Sequence, residues 1–231
     1  MSAILKNSKT VAVVAFIGLT VCYGYLKILH VEQLTSMLQK AFGGQPLYSS
    51  VEMGLFLLVL LLLQYVNFSY FSFYIDHAEH LIVRYGSPQG WLKKALLKNS
   101  LSMTGLFVLG IFISWLLFEI AFFDGNWMNF FQMETWIVVI RIYLFCILIT
   151  LIQLFSLLLF SISNTYIILN IFVFILAMMS RYEHWLHVLP RFGDTAILLL
   201  NSAVNIVAIA IVGLAIWQRS KRLNWKGVPY R

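Results

Sequence analysis

Residues 136–179 are almost uninterruptedly apolar, and this run constrains the fold more than any other feature of the chain. Roughly 44 residues at ~1.5 Å of helical rise each would make a rod of about 66 Å, twice the ~30 Å hydrocarbon core of a bilayer. The run must therefore fold back, and Ser161, Ser163, Asn164 and Thr165 form the polar cluster where it can turn. That predicts a fourth membrane span over 136–160 and a fifth over 161–180. The remaining apolar runs predict spans over 11–29, 53–73, 101–123 and 195–217. Composition agrees: charged residues are 11% of the chain, against ~25% in soluble domains. The runs are continuous rather than alternating, which argues against a closed β-barrel. The expected fold is an all-α membrane protein, one domain over 1–231 with six transmembrane helices.

Lysine and arginine orient such a protein, because cytoplasmic segments carry them in excess. With the N-terminus inside, the inner segments hold eleven: Lys6, Lys9, Arg84, Lys93, Lys94, Lys98, Arg219, Lys221, Arg222, Lys226 and Arg231. The outer segments hold four, Lys27, Lys40, Arg181 and Arg191, and Arg141 falls within a span. Both termini are expected to be cytoplasmic. The net charge of +7 then reflects a basic inner face beside anionic lipid heads and calls for no nucleic-acid partner. The first run follows Lys6 and Lys9 without a small-residue cleavage pattern, so it is expected to be a retained span. Cys22 and Cys146 both lie in apolar runs, without disulfide or zinc-ligand spacing.

Between the second and third runs lies DHAEHLIVRYGSPQGWLKK, residues 76–94. Its polarity is out of keeping with the runs on either side. Asp76 followed three residues later by Glu79 has the form of a capping box, and acids at the start with Arg84 at the end suit a helix dipole. Gly86 supplies the left-handed residue that closes a helix. Ser87 and Pro88 restart one as N-cap and first-turn residue. A short helix over 77–85, a sharp corner and a second helix running into the third span are therefore expected. On that second helix, Trp91, Lys93 and Lys94 would lie at headgroup depth. A solvated loop with interfacial anchors and a handle for a docking partner both fit this grammar.

Six spans, cytoplasmic ends and a helix–corner–helix between spans two and three resemble the type-2 ABC exporter permease family. The local likeness is EHLIVRYGSPQGWLKK, especially the RYGS…W…K form of small permeases in peptide and bacteriocin exporters. In that family this connection is the coupling helix, which inserts into a cleft on a cytoplasmic ATPase subunit. The resemblance implies that Asp76, Glu79, Arg84, Tyr85, Gly86 and Ser87 form or border the ATPase-facing turn. Trp91, Lys93 and Lys94 would anchor the return. It also implies ABC ATPase subunits as partners, a second permease, identical or related, and the bacterial cytoplasmic membrane as location. His77 and Ala78 stand where relatives usually have Gly-Thr, the N-terminal cytoplasmic segment is short, and 181–194 is brief for the hairpin common there.

No Gly-rich phosphate loop with Lys and Ser/Thr occurs. No enzymatic activity or cofactor is expected in this chain, and ATP would bind to the partner subunit. The pairs His77/His80 and His184/His187 have one-face spacing but no third metal ligand in pattern, so no metal site is expected. All five histidines lie at span ends or in loops, away from any serine that would serve an intramembrane protease. Arg141 lies about five residues into its span, within reach of the outer surface by snorkelling, and it can alternatively pair with Glu119 or Glu134. Gln64, Asn67, Gln153, Asn170, Asn201 and Asn205 are polar within spans and are expected to face other helices or a pathway. The cargo that fits so apolar a surface is hydrophobic or amphiphilic: a peptide, bacteriocin or toxin-like molecule. A non-transporting scaffold or sensor subunit, or a membrane-embedded enzyme, is the alternative.

Overall fold

The computed structural model describes residues 20, 23–25, 28, 34–42, 50–122, 131, 133–179 and 195–222, and these are almost entirely helical. In chain order the helices are α1 (Leu34–Ala41), α2 (Ser50–Asp76), α3 (Ala78–Tyr85) and α4 (Pro88–Trp91). A π-helical segment, Leu92–Lys98, then leads into α5 (Asn99–Phe122), α6 (Met133–Leu159), α7 (Ile162–Met179) and α8 (Thr195–Arg222). Among the described residues no strand occurs.

Among the described residues, four helices are long and apolar enough to cross a membrane: Ser50–Ile75, Ser100–Phe122, Thr135–Leu159 and Ser202–Arg219. They match the second, third, fourth and sixth expected spans and make this a multi-pass, membrane-embedded chain. The fifth corresponds to the shorter apolar helix Ser163–Met179. The first expected span lies mostly outside the described residues, and the 181–194 segment with His184 and His187 lies wholly outside them.

The long apolar run folds back at the expected place. α6 stops at Leu159 and α7 begins at Ile162, with the Ser161 Oγ accepting from the Asn164 N–H at 3.5 Å as an N-cap. Leu176 and Ala177 at the far end of α7 share an apolar cluster with Val138 and Val139 at the far end of α6. Only an antiparallel pair brings those ends together.

α6 is the central post, packed against α1, α2, α5, α7 and α8. Two cores form around it. The first joins Met37 and Leu38 of α1, Phe56 and Val59 of α2, Phe112 and Trp115 of α5, and Ile142 and Phe145 of α6. α1 was not anticipated by the span pattern, although Leu34, Met37, Leu38 and Ala41 carry the spacing of one buried helical face, and all four are buried. The second core lies at the opposite end, beneath the 76–94 connection. It joins Phe71, Ala78, Trp91 and Leu92 to Leu151, Leu154 and Leu157 of α6 and Ile216 of α8. The outward faces of α5, α7 and α8 carry Leu106, Leu117, Ile167, Ile171, Phe174, Ile206 and Ile211, as a lipid-facing surface requires.

Candidate functional site: an elbow clamped to the bundle

The N-cap of the elbow helix is one residue later than the expected Asp76. Asp76 is the last residue of α2, and the N-cap of α3 is His77, which makes no side-chain cap. The helical ladder runs through the junction instead: the His77 N–H donates to Phe73 O at 3.2 Å and the Leu81 N–H donates to His77 O at 3.0 Å. With no Gly or Pro between residues 73 and 81, nothing in the sequence breaks the ladder. The imidazole is engaged as well, with Nδ1 2.9 Å from Phe73 O and the ring 4.6 Å from that of Phe73. The side chains of Asp76 and Glu79 lie outside the described residues.

The corner itself forms as its residue types dictate. Gly86 has φ 75° and ψ −14°, the left-handed closure of α3, and its N–H donates to Val83 O. Ser87 caps α4 by accepting from the Gly90 N–H at 3.0 Å, with Pro88 as first residue. A Cβ at Gly90 would sit 3.0 Å from both Ser87 Oγ and Tyr85 O, so a larger residue in this tight bend would have to push its neighbours back by a few tenths of an ångström. The π segment follows, and hydroxyls serve the carbonyls at its end: Ser100 Oγ donates to Leu97 O and Ser102 Oγ to Lys98 O, each at 3.0 Å.

The elbow has two unlike faces. Ala78, Leu81, Ile82 and Tyr85 turn inward and join the core around Phe71 and Ile216. Trp91 is the centre of this contact, at 0% exposure. Its ring is enclosed by protein rather than turned out to the headgroups. Lys93 and Lys94 are exposed, as an interfacial position allows. On the outward face His80, Arg84, Gly86, Ser87 and Gln89 are exposed, and Val83 stands at 83% exposure, outside every candidate span.

Above the elbow, the polar residues of the spans converge in a seam. Thr150 of α6 is its hub. Its Oγ1 accepts from Asn67 Nδ2 of α2 at 2.9 Å, lies 3.0 Å from Thr104 Oγ1 of α5, and donates to Cys146 O at 2.8 Å. Thr104 Oγ1 also donates to Ser100 O at 2.9 Å. Three contacts that each need a hydroxyl proton share the two that Thr104 and Thr150 own, so these bonds exchange. Next to the hub, Gln153 Nε2 donates to Gln64 O at 3.0 Å, and Gln64 Nε2 donates to Leu169 O of α7 at 3.4 Å. Two neighbouring sets of side-chain hydrogen bonds thus tie four helices, one joining α2, α5 and α6 and the other α2, α6 and α7. Gln153 was singled out from sequence for this region; Thr104 and Thr150 were not. A hydroxyl in an apolar helix ordinarily bonds its own preceding turn, so spacing gives no sign of a partner on another helix.

Glu119 of α5 is buried and accepts from the Tyr23 hydroxyl at 2.5 Å, and the Tyr23 ring stacks on Trp115 at 4.6 Å. Arg141 is only 4% exposed. Asn205 of α8 is buried at 1% exposure, and the Asn201 side chain lies outside the described residues. Near the start of α2, Lys40 and Glu52 form an ion pair at 2.6 Å with both residues buried. Among the described residues no three His, Cys, Asp or Glu side chains converge as metal ligands. No protein-family model, curated protein or solved structure matches the chain.

Proposed function

We propose that this chain is the membrane-spanning permease subunit of an ATP-driven ABC exporter, moving a hydrophobic or amphiphilic cargo of peptide, bacteriocin or toxin type. ATP is hydrolysed by a separate subunit that grips the elbow from the cytoplasm. Both termini are cytoplasmic, six spans cross a bacterial cytoplasmic membrane, and an identical or related second permease completes the pathway.

The observation that carries this reading is the two-faced elbow. Its inner face is locked through Trp91 to α2, α6 and α8, while its outer face presents Val83 beside Arg84, Lys93 and Lys94. A force applied outside is therefore delivered to the centre of the bundle. Lipid does not account for the outer face, since a membrane-inserting helix needs several outward apolar residues and α3 presents one.

The test places a photocrosslinker at Val83 and at Gln89 in cells expressing the full chain. The proposal expects one dominant adduct with a protein bearing a phosphate-binding Gly-rich loop, lost in Arg84→Glu together with cargo efflux. Adducts only with lipid, or none, would overturn it. Efflux that survives loss of the adduct would favour a scaffold role.

A further inference from the structure

We infer that the junction of α2, α6 and α7 is a binding site for ordered water within the membrane-embedded part of the bundle. The inference rests on atoms of this junction and does not depend on what drives the protein.

The hydrogen bonds already made fix which atoms remain. Gln153 Nε2 is 3.0 Å from Gln64 O, and Gln64 Nε2 is 3.4 Å from Leu169 O. Both acceptors are backbone carbonyls, so each amide must point its nitrogen at them, and neither can be flipped without losing that bond. The side-chain oxygens, Gln64 Oε1 and Gln153 Oε1, are thereby committed to the interior. Among the described residues neither has a hydrogen-bond partner, and both residues are 1% exposed. One helical turn from Leu169, Thr165 is 0% exposed and its Oγ1 also has no partner among the described residues. Three polar groups from three helices are thus left with hydrogen-bonding capacity where lipid offers none.

The balance of donors and acceptors selects the occupant. Two amide oxygens and a hydroxyl oxygen accept, but each amide keeps a second N–H, and Thr165 keeps its hydroxyl proton. A cation needs oxygens alone; here it would face N–H groups, and no carboxylate belongs to the set. An ammonium group has the same difficulty. Water donates twice and accepts twice, which suits a mixed set, and buried water commonly makes about three bonds to groups of this kind. Water also competes for Gln64 Nε2, whose bond to α7 is the longest in the seam. The Gln64 bond to the middle of α7 is accordingly exchangeable.

The test is an experimental structure of the full chain in lipid nanodiscs, at a resolution that shows water, in sodium buffer and again in rubidium buffer. Expected are compact peaks about 3 Å from Gln64 Oε1 and Gln153 Oε1, of equal height in both salts. The peak nearest residue 153 should disappear in Gln153→Leu. A peak that strengthens in rubidium, elongated density of a lipid or additive, a peak unaffected by Gln153→Leu, or amide oxygens packed against carbon with no peak would each overturn the assignment.

Discussion

Replacing Trp91 by alanine separates an elbow locked into the bundle from one merely resting at the membrane edge. Trp91 is fully buried among Phe71, Ala78, Leu154 and Ile216, so truncation opens a cavity where two long helices meet the elbow. A buried tryptophan covers ~150–250 Å², and at ~25 cal/mol per Å² its transfer contributes about 4–6 kcal/mol. The unfolded chain already hides some of that area, which lowers the figure by roughly 10–40%. An expectation of ~3–5 kcal/mol results, in line with measured Trp→Ala changes in cores. Water is a fair reference because Trp91 precedes the span that starts at Ser100. Reversible denaturant unfolding in mixed micelles measures it, with Lys93→Ala as an exposed control expected within about 0.5 kcal/mol of the parent. If Trp91→Ala costs under about 1 kcal/mol and matches that control, the ring is an interfacial anchor and the locked elbow is wrong.

Three further outcomes follow from the same geometry. Thr150→Val removes the hub oxygen and should cost ~0.6–1.7 kcal/mol, the range of interhelical hydrogen bonds in membrane proteins; a double-mutant cycle with Asn67→Leu should show coupling, and strict additivity would dissolve the hub. Gly86→Ala should cost about 1–2 kcal/mol from the left-handed backbone alone, because a Cβ there meets nothing within 4 Å. A D-alanine placed at 86 by semisynthesis should restore the stability, which unfolding midpoints would reveal. Gly24→Ala puts a methyl 2.9 Å from the Phe118 ring and should lower the thermal midpoint by the equivalent of ~1–3 kcal/mol, with relief in Gly24→Ala/Phe118→Leu.

What the sequence made legible was whatever a single segment decides. The turn at Ser161 follows from length alone, since no membrane accommodates a ~66 Å helix upright. The corner at Gly86, Ser87 and Pro88 follows from backbone chemistry, and the observed φ of 75° at Gly86 is its direct consequence. The elbow helix forms where the sequence places it, at Ala78–Tyr85, but its N-cap is His77 rather than Asp76, because α2 carries its ladder through Asp76. The enclosure of Trp91 is not legible in its own segment. Tryptophan flanked by lysines reads as an interface anchor in one dimension, and only the approach of α6 and α8 turns it into a core residue. The π segment left no recognisable signal, since Leu92–Lys98 has the composition of an ordinary amphipathic turn.

The two ends of the bundle are built from different interactions, and this bears on how a displacement would travel. At the α1 end the core is close-packed aromatic and aliphatic side chains, which resist sliding because every shift costs contacts. The elbow end has an apolar core of its own around Phe71, Trp91 and Leu154, but above it the bundle is also joined by Asn67, Thr104, Thr150, Gln64 and Gln153, whose hydrogen bonds can exchange among neighbours with little net change. A push on the elbow enters through Trp91 and meets the exchangeable end first. α2, α5 and α6 are bound there through the Thr150 hub, while α7, whose apolar packing lies toward the α1 end at Val173, Leu176 and Ala177, is tied to the seam among the described residues by the long bond from Gln64 to Leu169. On this reckoning α7 is the helix that gives. Two spin labels, one at Tyr166 on the outward face of α7 and one at Met103 on α5, would therefore change separation on elbow loading before any pair between α5 and α6. A change confined to the α5–α6 pair would place the yielding contact at the Thr150 hub instead.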